Sequence, residues 1–462
     1  MIKPTIFREY DIRGIADEDL VTENVILLGK GIGTFFVRSG AKNIVLGRDV
    51  RLSSQRIRNA LVEGLLSTGM KVIDVGLVLT PVQYFGIVHL NSDGGVMITG
   101  SHNPIVYNGL KISQKEVVPV YGQQIQEIKK FIERADFATG AGEVIEQNVM
   151  DDYIATLQSK IKFNKKLKVV VDAGNGTAGL LLPKLWQDLG CEVVCLYCEP
   201  DGRFPNHLPD PTVPKYMVDL QKKVKVVGAD VGLGYDGDSD RIGAIDDRGR
   251  IIFADRLLAI LSKEVLARKP NSEIVFDVKC SQTLAEEIEK YGGKPIMWKT
   301  GHSLLKAKMK EIHAPLAGEM SGHIFYADDY FGFDDAIYVS GRLLQLLSNT
   351  DKKLSKIADE IPHFESTPEI RVEATDEDKF NIVADLAEYF KSKYDTIDID
   401  GARVLFGDGW GLVRASNTQP VLVLRFEAKT VERLRDIIEI FKSQLRKYPS
   451  VKFSDEDFAI SK

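Results

Sequence analysis

"VGADVGLGYDGDSDR" runs from Val227 to Arg241. Its first part alternates apolar residues with glycine, the texture of a buried strand. Its second part sets three aspartates, Asp236, Asp238 and Asp240, at alternate positions. This strand-loop closes a triplet that begins with "KVVVDAGNG" (168–176) and continues with "EVVCLYCEPDG" (192–202), with helix-sized gaps between. The same order occurs upstream as "NIVLGRD" (43–49), "KVIDVGLVLTP" (71–81) and "GGVMITGSHNP" (94–104). It occurs again downstream as "EIVFDVKCS" (273–281), "KPIMWKTGHS" (294–303) and "PLAGEMSGH" (315–323). Strands alternating with helical gaps predict α/β units with largely parallel pairing. In such sheets ligand sites gather beyond the carboxyl ends of strands. Three unusual terminal loops therefore predict one site shared between three related domains.

Beyond residue 366 the texture changes. "TPEIRVEA" and "DGARVLFGDGWGLVRASNTQPVLVLRFEA" predict antiparallel strands, with turns at Asp400-Gly401 and Asp408-Gly409. A helix is expected from Thr430 to about Arg446, with Leu434, Ile437, Ile438, Ile440 and Phe441 apolar. The expected architecture is thus α/β with four domains: 1–150, 151–255 and 256–366 as mixed-sheet α/β domains, and 367–462 as a smaller α+β domain.

With 462 residues, several domains are the natural expectation. Lys plus Arg total 60 against 66 for Asp plus Glu, a net charge of -6, which argues against a general nucleic-acid binder. No apolar run approaches the roughly 20 residues of a membrane helix, and the opening "MIKPTIFREYDIRG" lacks a signal-peptide core. Of the four cysteines, Cys191, Cys195 and Cys198 fall on one strand and the turn after it, and Cys280 stands apart. A paired-knuckle zinc pattern is absent, so core thiols in a reducing cytoplasm are expected.

Four loops carry chemistry. Carboxylates at 236, 238 and 240 point to one side of an extended loop, where they suit a hard divalent cation such as Mg²⁺. An EF-hand is excluded, because its sixth position would be Arg241 and its twelfth Asp247. In "MITGSHNPIVYNG" (97–109), Ser101 and His102 stand in a corner that Gly100, Asn103 and Pro104 alone would turn. Arg414, Ser416, Asn417 and Thr418 form a cradle suited to a phosphate dianion. Glu319 and Ser321 in "GEMSGH" suit vicinal sugar hydroxyls, with His323 beside them. Arg8, Arg13, Lys111, Arg241, Lys279 and His302 would add a positive field. A serine beside a divalent cation can carry a phosphoryl group.

The chain resembles the α-D-phosphohexomutases, most closely the bacterial phosphomannomutase/phosphoglucomutase branch. The resemblance rests on "FREYDIRG" (7–14), "GRDVRLSS" (47–54), "TGSHNP" (99–104), "DGRFPNHLPDP" (201–211), "DGDSDR" (236–241), "WKTGHS" (298–303), "GEMSGH" (318–323) and "RASNTQP" (414–420). It implies four domains around a central cleft and interconversion of hexose 1-phosphates and 6-phosphates. Ser101 would be the phosphoserine, with Lys111, His323, Arg13 and Arg241 as the other catalytic residues. Asp236, Asp238, Asp240 and a Ser101 phosphate oxygen would hold Mg²⁺. Glu319, Ser321, His302, Lys279 and Tyr10 would bind the sugar; Arg414, Ser416, Asn417, Thr418 and Arg425 would bind the distal phosphate. The resemblance also implies glucose 1,6-bisphosphate, or mannose 1,6-bisphosphate, as activator, phosphosugars as the partners, and no nucleic acid or membrane. A monomer is the expectation, a dimer the alternative.

Met320, the Ser-Asn-Thr of the phosphate loop and Gly100 favour mannose and glucose phosphates over glucosamine phosphate. Phosphoglucosamine mutases usually carry glutamine at the first of these positions and Ser-Gly-Thr at the second, and several related branches have alanine at the third. Leu208 departs from a frequent histidine and leaves the catalytic loops untouched. A haloacid-dehalogenase-type phosphatase would need Asp-x-Asp-x-Thr/Val, and both registers fail, at Asp240 and at Ile242. A non-catalytic sensor would be expected to lack Ser101 or a carboxylate of the metal loop.

Overall fold

The computed structural model describes residues 2–417 and 419–458. Three of its sheets share one strand order. In the first, Lys71–Leu77, Asn43–Arg48, Gly94–Ile98 and Tyr107–Gln114 lie side by side. The second repeats this with Glu192–Leu196, Lys168–Asp172, Val231–Tyr235 and Ile242–Asp246. Lys294–Trp298, Glu273–Asp277, Leu316–Gly318 and Ile324–Tyr326 form the third. In each sheet three strands are parallel and the fourth returns antiparallel. The chemistry-bearing loop links the third strand to this returning strand every time. The first sheet gains Ile12–Ile15, antiparallel to Tyr107–Gln114, which sets Arg13 opposite Gly109.

The parallel strands read as continuous apolar runs because both faces are covered: Val169, Val170 and Val171 are all fully buried. One apolar core runs through the first three units, joining Val45, Leu157, Leu233, Leu261 and Leu343. The line drawn between 255 and 256 falls inside the first turn of the helix Ala254–Arg268.

The fourth unit is an antiparallel sheet, Glu365–Ser366, Val421–Ala428, Gly409–Ala415, Ala402–Leu405 and Asp395–Ile397, with Ile370–Glu373 also on Val421–Ala428. Turns fall at both predicted Asp-Gly pairs. The helix Val431–Leu445 is capped by the Thr430 hydroxyl and buries Leu434, Ile437, Ile438 and Phe441; that spacing is one face of a helix. Ile440 stands at the edge of this face, half-buried. This unit has its own core and meets the third unit through Trp410, Leu412 and Val278. The Arg403 guanidinium lies 3.7 Å from the Trp410 ring and donates to the Val278 and Cys280 carbonyls.

The cysteines correct the sequence reading. Cys195 and Cys198 form a disulfide, while Cys191 and Cys280 are buried free thiols. The strand Glu192–Leu196 is the outer strand of its sheet, so Cys195 is exposed and Cys198 half-buried. Among the described residues no helix is long and apolar enough to cross a membrane.

Candidate active site

The equivalent loops of the three related units touch one another. Ser101 Oγ donates to Asp236 Oδ2 at 2.7 Å, across two units. Ser101 is held with φ at 47°, the left-handed region, and its N–H donates to Thr99 Oγ1 at 2.8 Å. Gly237 leaves room for this approach, since a Cβ there would lie 2.5 Å from the Ser101 carbonyl oxygen. From the third unit, the Gly322 carbonyl accepts from the Ile242 N–H at 3.2 Å.

Asp236, Asp238 and Asp240 are fully buried, and one oxygen of each falls within 4.8 Å of the others. Burial, reinforced by Asp240 and Asp238, pushes the Asp236 carboxyl well above its usual range. Burial opposes the charge of Asp238 too, but the Lys111 ammonium and the Thr80 hydroxyl outweigh it and hold this carboxyl low. Lys111 Nζ bonds Asp238 Oδ2 at 2.8 Å and also Asp240. Burial disfavours its charge, yet both aspartates raise its pKa well above the ordinary lysine value. Oδ1 of Asp238 and Oδ1 of Asp240 are buried with no donor. Such orphaned oxygens are costly in a dry site, and an all-oxygen set of this kind fits a divalent cation.

His323 is fixed from both sides. Arg241 Nε donates to His323 Nε2 at 2.9 Å, so the neutral ring carries its proton on Nδ1. That nitrogen lies 2.9 Å from Asp334 Oδ2, and Lys306 Nζ bonds Asp334 Oδ1 at 3.1 Å. Asp334 is buried, but Lys306 and His323 keep its carboxyl well below the usual range. His302 stacks on His323 with ring centres 5.3 Å apart, and burial beside Lys306 pushes its pKa well down. Arg13 donates to Asn103 at 2.8 Å and to Asp11 at 2.6 Å, placing it beside the Ser101 corner.

Glu319 accepts the Gly301 N–H at 2.9 Å and the Ser321 hydroxyl at 2.6 Å. The fourth unit closes on this group. Asn417 donates to the Tyr10 hydroxyl at 2.7 Å, and Tyr10 donates to the Thr300 carbonyl at 3.0 Å. Asp400 accepts from Arg414 Nε and from the Thr300 N–H, both at 2.9 Å. Lys279 Nζ reaches across to Glu369 at 2.9 Å. The Ser416 N–H donates to the Val421 carbonyl at 3.0 Å; Thr418 lies outside the described residues.

Arg425, expected in the phosphate set, faces the third unit in this structure. Its guanidinium bonds the buried Asp255 and the Lys279 carbonyl, which makes it part of the contact between the third and fourth units. Sequence reasoning missed Thr80, whose hydroxyl donates to Asp238 Oδ2 at 2.6 Å. It also missed Asp334, Glu369 and Arg51, although "GRDVRLSS" pointed at the last.

Four family descriptions match consecutive parts of the chain: phosphoglucomutase/phosphomannomutase alpha/beta/alpha domain I at residues 4–139, domain II at 151–249, domain III at 253–364, and the C-terminal domain at 369–443. The chain belongs to the phosphoglucomutase/phosphomannomutase family. It is 46% identical over 445 residues to a phosphomannomutase/phosphoglucomutase of Pseudomonas aeruginosa, covering 96% of both chains. A phosphoglucomutase of Neisseria meningitidis is 41% identical over 451 residues, covering 96% of this chain and 98% of that one. Among solved structures, a phosphoglucomutase/phosphomannomutase family protein of Burkholderia thailandensis superposes with a TM-score of 0.92 at 41% identity, covering 98% of this chain and all of that one. The family membership and the fold expected from the repeated triplets agree.

Proposed function

We propose that this protein reversibly converts mannose 1-phosphate and glucose 1-phosphate to the corresponding 6-phosphates through a phosphoserine at Ser101. The observation that carries this reading is the Ser101 hydroxyl 2.7 Å from Asp236, inside a buried carboxylate triad contributed by a different domain. Asp236, Asp238 and Asp240 would hold Mg²⁺, which when bound neutralises charge on the transferring phosphoryl oxygens.

The phosphoryl group leaves Ser101 Oγ as its P–O bond breaks and a new one forms to the free sugar hydroxyl, which loses its proton as the Ser101 oxygen takes one up. The product is a hexose 1,6-bisphosphate. After this turns end for end, its other phosphoryl group returns to Ser101 and the isomeric monophosphate leaves. Ser101 gives up its own proton as that P–O bond forms, the sugar oxygen left behind takes one up, and Asp236 Oδ2 is the acceptor of the free hydroxyl. Glucose or mannose 1,6-bisphosphate would reload an unphosphorylated Ser101 and so act as activator.

Lys111, charged and buried, stabilises negative charge rather than accepting a proton. His323 Nε2 is covered by Arg241 and becomes available once that guanidinium turns to a phosphate. Glu319 and Ser321 orient the sugar, while Arg414, Ser416, Asn417 and Thr418 hold whichever phosphate is not reacting. The separate core of the fourth domain lets it swing open while the intermediate turns. All four loops come from one chain, so the site is complete in a monomer. Charged sugar phosphates do not cross bilayers unaided, which supports a location beside its substrates in the cytoplasm.

The test is phosphorus NMR with Mg²⁺ and a trace of glucose 1,6-bisphosphate, with mannose, glucose and glucosamine 1-phosphates in separate tubes. Formation of 6-phosphate from the first two, with the third slow, is expected. Conversion of glucosamine 1-phosphate alone, or release of free phosphate in every tube, would overturn the assignment.

A further inference from the structure

Arg51 is one of the most buried cations in the molecule, and nothing in the reaction uses it. Its side chain is 1% exposed. Its guanidinium faces backbone carbonyls from a single loop. Nη2 donates to Ser101 O at 2.9 Å and Asn103 O at 2.6 Å; Nη1 donates to Pro104 O and Tyr107 O, both at 2.8 Å. Asp49, 3.5 Å from Arg51 Nε, accepts the Gly100 N–H at 3.0 Å, the residue just before the serine. One planar cation thus ties the segment from Ser101 to Tyr107 while its neighbour Asp49 holds the residue before the serine, whose backbone is in the left-handed region that a serine adopts only at a cost.

The second domain covers this clamp. The Phe204 ring stands over the guanidinium with the Arg51 Cζ 5.3 Å from its centre. Gly202 packs so closely that a Cβ there would lie 2.3 Å from the Val50 carbonyl oxygen. The segment that recognises Arg51 therefore belongs to the same domain as the carboxylate triad.

We propose that Arg51 is a positioning residue that sets Ser101 for phosphoryl transfer and, through Phe204, keeps the serine loop in register with the metal loop of the second domain. A guanidinium suits this task because its planar fork reaches several carbonyls at once, whereas a lysine ammonium is a point charge on a flexible stem. The inference rests on the reading of Ser101 as the phosphoryl carrier.

The test compares wild-type protein with Arg51→Lys, Arg51→Ala and Phe204→Leu. The readouts are the rate at which Ser101 takes a phosphoryl group from glucose 1,6-bisphosphate, the steady-state kcat and KM for glucose 1-phosphate, and the melting temperature. A misplaced nucleophile costs on the order of 100-fold in rate. Arg51→Lys is expected to lose about that factor in phosphorylation rate and kcat, with KM little changed. Added guanidinium at concentrations that do not denature should restore part of the Arg51→Ala rate without altering KM. Phe204→Leu, which leaves the carbonyl clamp intact and should fold, is expected to lose several-fold in the same rate. Wild-type phosphorylation rates in Arg51→Lys and Phe204→Leu would overturn the proposal. So would losses that follow melting temperature alone with no response to guanidinium. If the wild-type protein itself takes no phosphoryl group on Ser101, the functional reading fails instead.

Discussion

Thr80 Oγ1 donates to Asp238 Oδ2 at 2.6 Å, and the Thr80 N–H donates to the Asp238 carbonyl at 2.9 Å. These residues are 158 positions apart and in different domains. The carboxylate loop of the second domain is therefore held from the first domain, at the start of the helix Thr80–His89. A hydrogen bond to a buried carboxylate is worth about 1.5–3 kcal/mol, or roughly 10- to 100-fold in an equilibrium constant. Thr80→Val should raise the Mg²⁺ concentration for half-maximal activity by at least the lower factor, leaving the sugar-phosphate KM nearly unchanged. An unaltered Mg²⁺ activation curve would show that Thr80 does not shape the site.

Asp334 fixes the face that His323 presents to the cleft. In Asp334→Asn the acceptor beside Nδ1 becomes an amide, and Lys306 loses its carboxylate partner. Breaking a buried charge pair leaves an uncompensated charge worth about 3–5 kcal/mol. We expect a fall in kcat of about 100-fold, together with a lower melting temperature. Wild-type kcat in this variant would remove His323 from the reaction.

Lys279 and Glu369 form an ion pair across the third and fourth domains. Glu369→Gln should loosen the closed arrangement. Hydrogen-exchange mass spectrometry is expected to show faster exchange at residues 278–282 and 367–373, with the buried strand Lys168–Asp172 unchanged. Equal exchange in variant and wild type would mean the pair does not help to hold the fourth domain.

Burial pushes the Asp335 carboxyl up to about 6 from 3.8, although Tyr330, Tyr153 and two backbone N–H groups favour the charged form. Folding thus takes up a proton between those two pH values. The contribution of this residue to stability is full below about pH 4 and falls as pH rises through about 6, by about 3 kcal/mol in all. Asp335→Asn keeps an oxygen to cap the helix Ala336–Ser348 and should remove this slope. Thermal melts of both proteins from pH 4 to pH 7 test it; parallel curves would contradict the assignment.

The repeated triplets were legible because parallel strands covered on both faces write themselves as apolar runs, and their loops break those runs with charged residues. The grouping of Asp236, Asp238 and Asp240 was legible because they stand at alternate positions of one loop, and one oxygen of each lies within 4.8 Å of the others. Thr80 and Asp334 were not, since each acts on a partner far away in the chain and stands in no local motif. Arg425 was expected in the phosphate set with Arg414, and in the structure its guanidinium bonds Asp255 and the Lys279 carbonyl. Which domain covers its side of the sheet is a tertiary matter, and Asp255 supplies the answer. The Cys195–Cys198 pair was misread because strand order, not strand composition, decides that Glu192–Leu196 is an edge.

The most direct measurement is the site of phosphorylation. The protein is incubated with Mg²⁺ and glucose 1,6-bisphosphate, and its peptides are mapped by mass spectrometry before and after adding mannose 1-phosphate. The account predicts one phosphoryl group, on Ser101, that leaves on addition of the sugar phosphate and appears as a bisphosphate. A phosphoryl group on another residue, or its release as free phosphate, would contradict it.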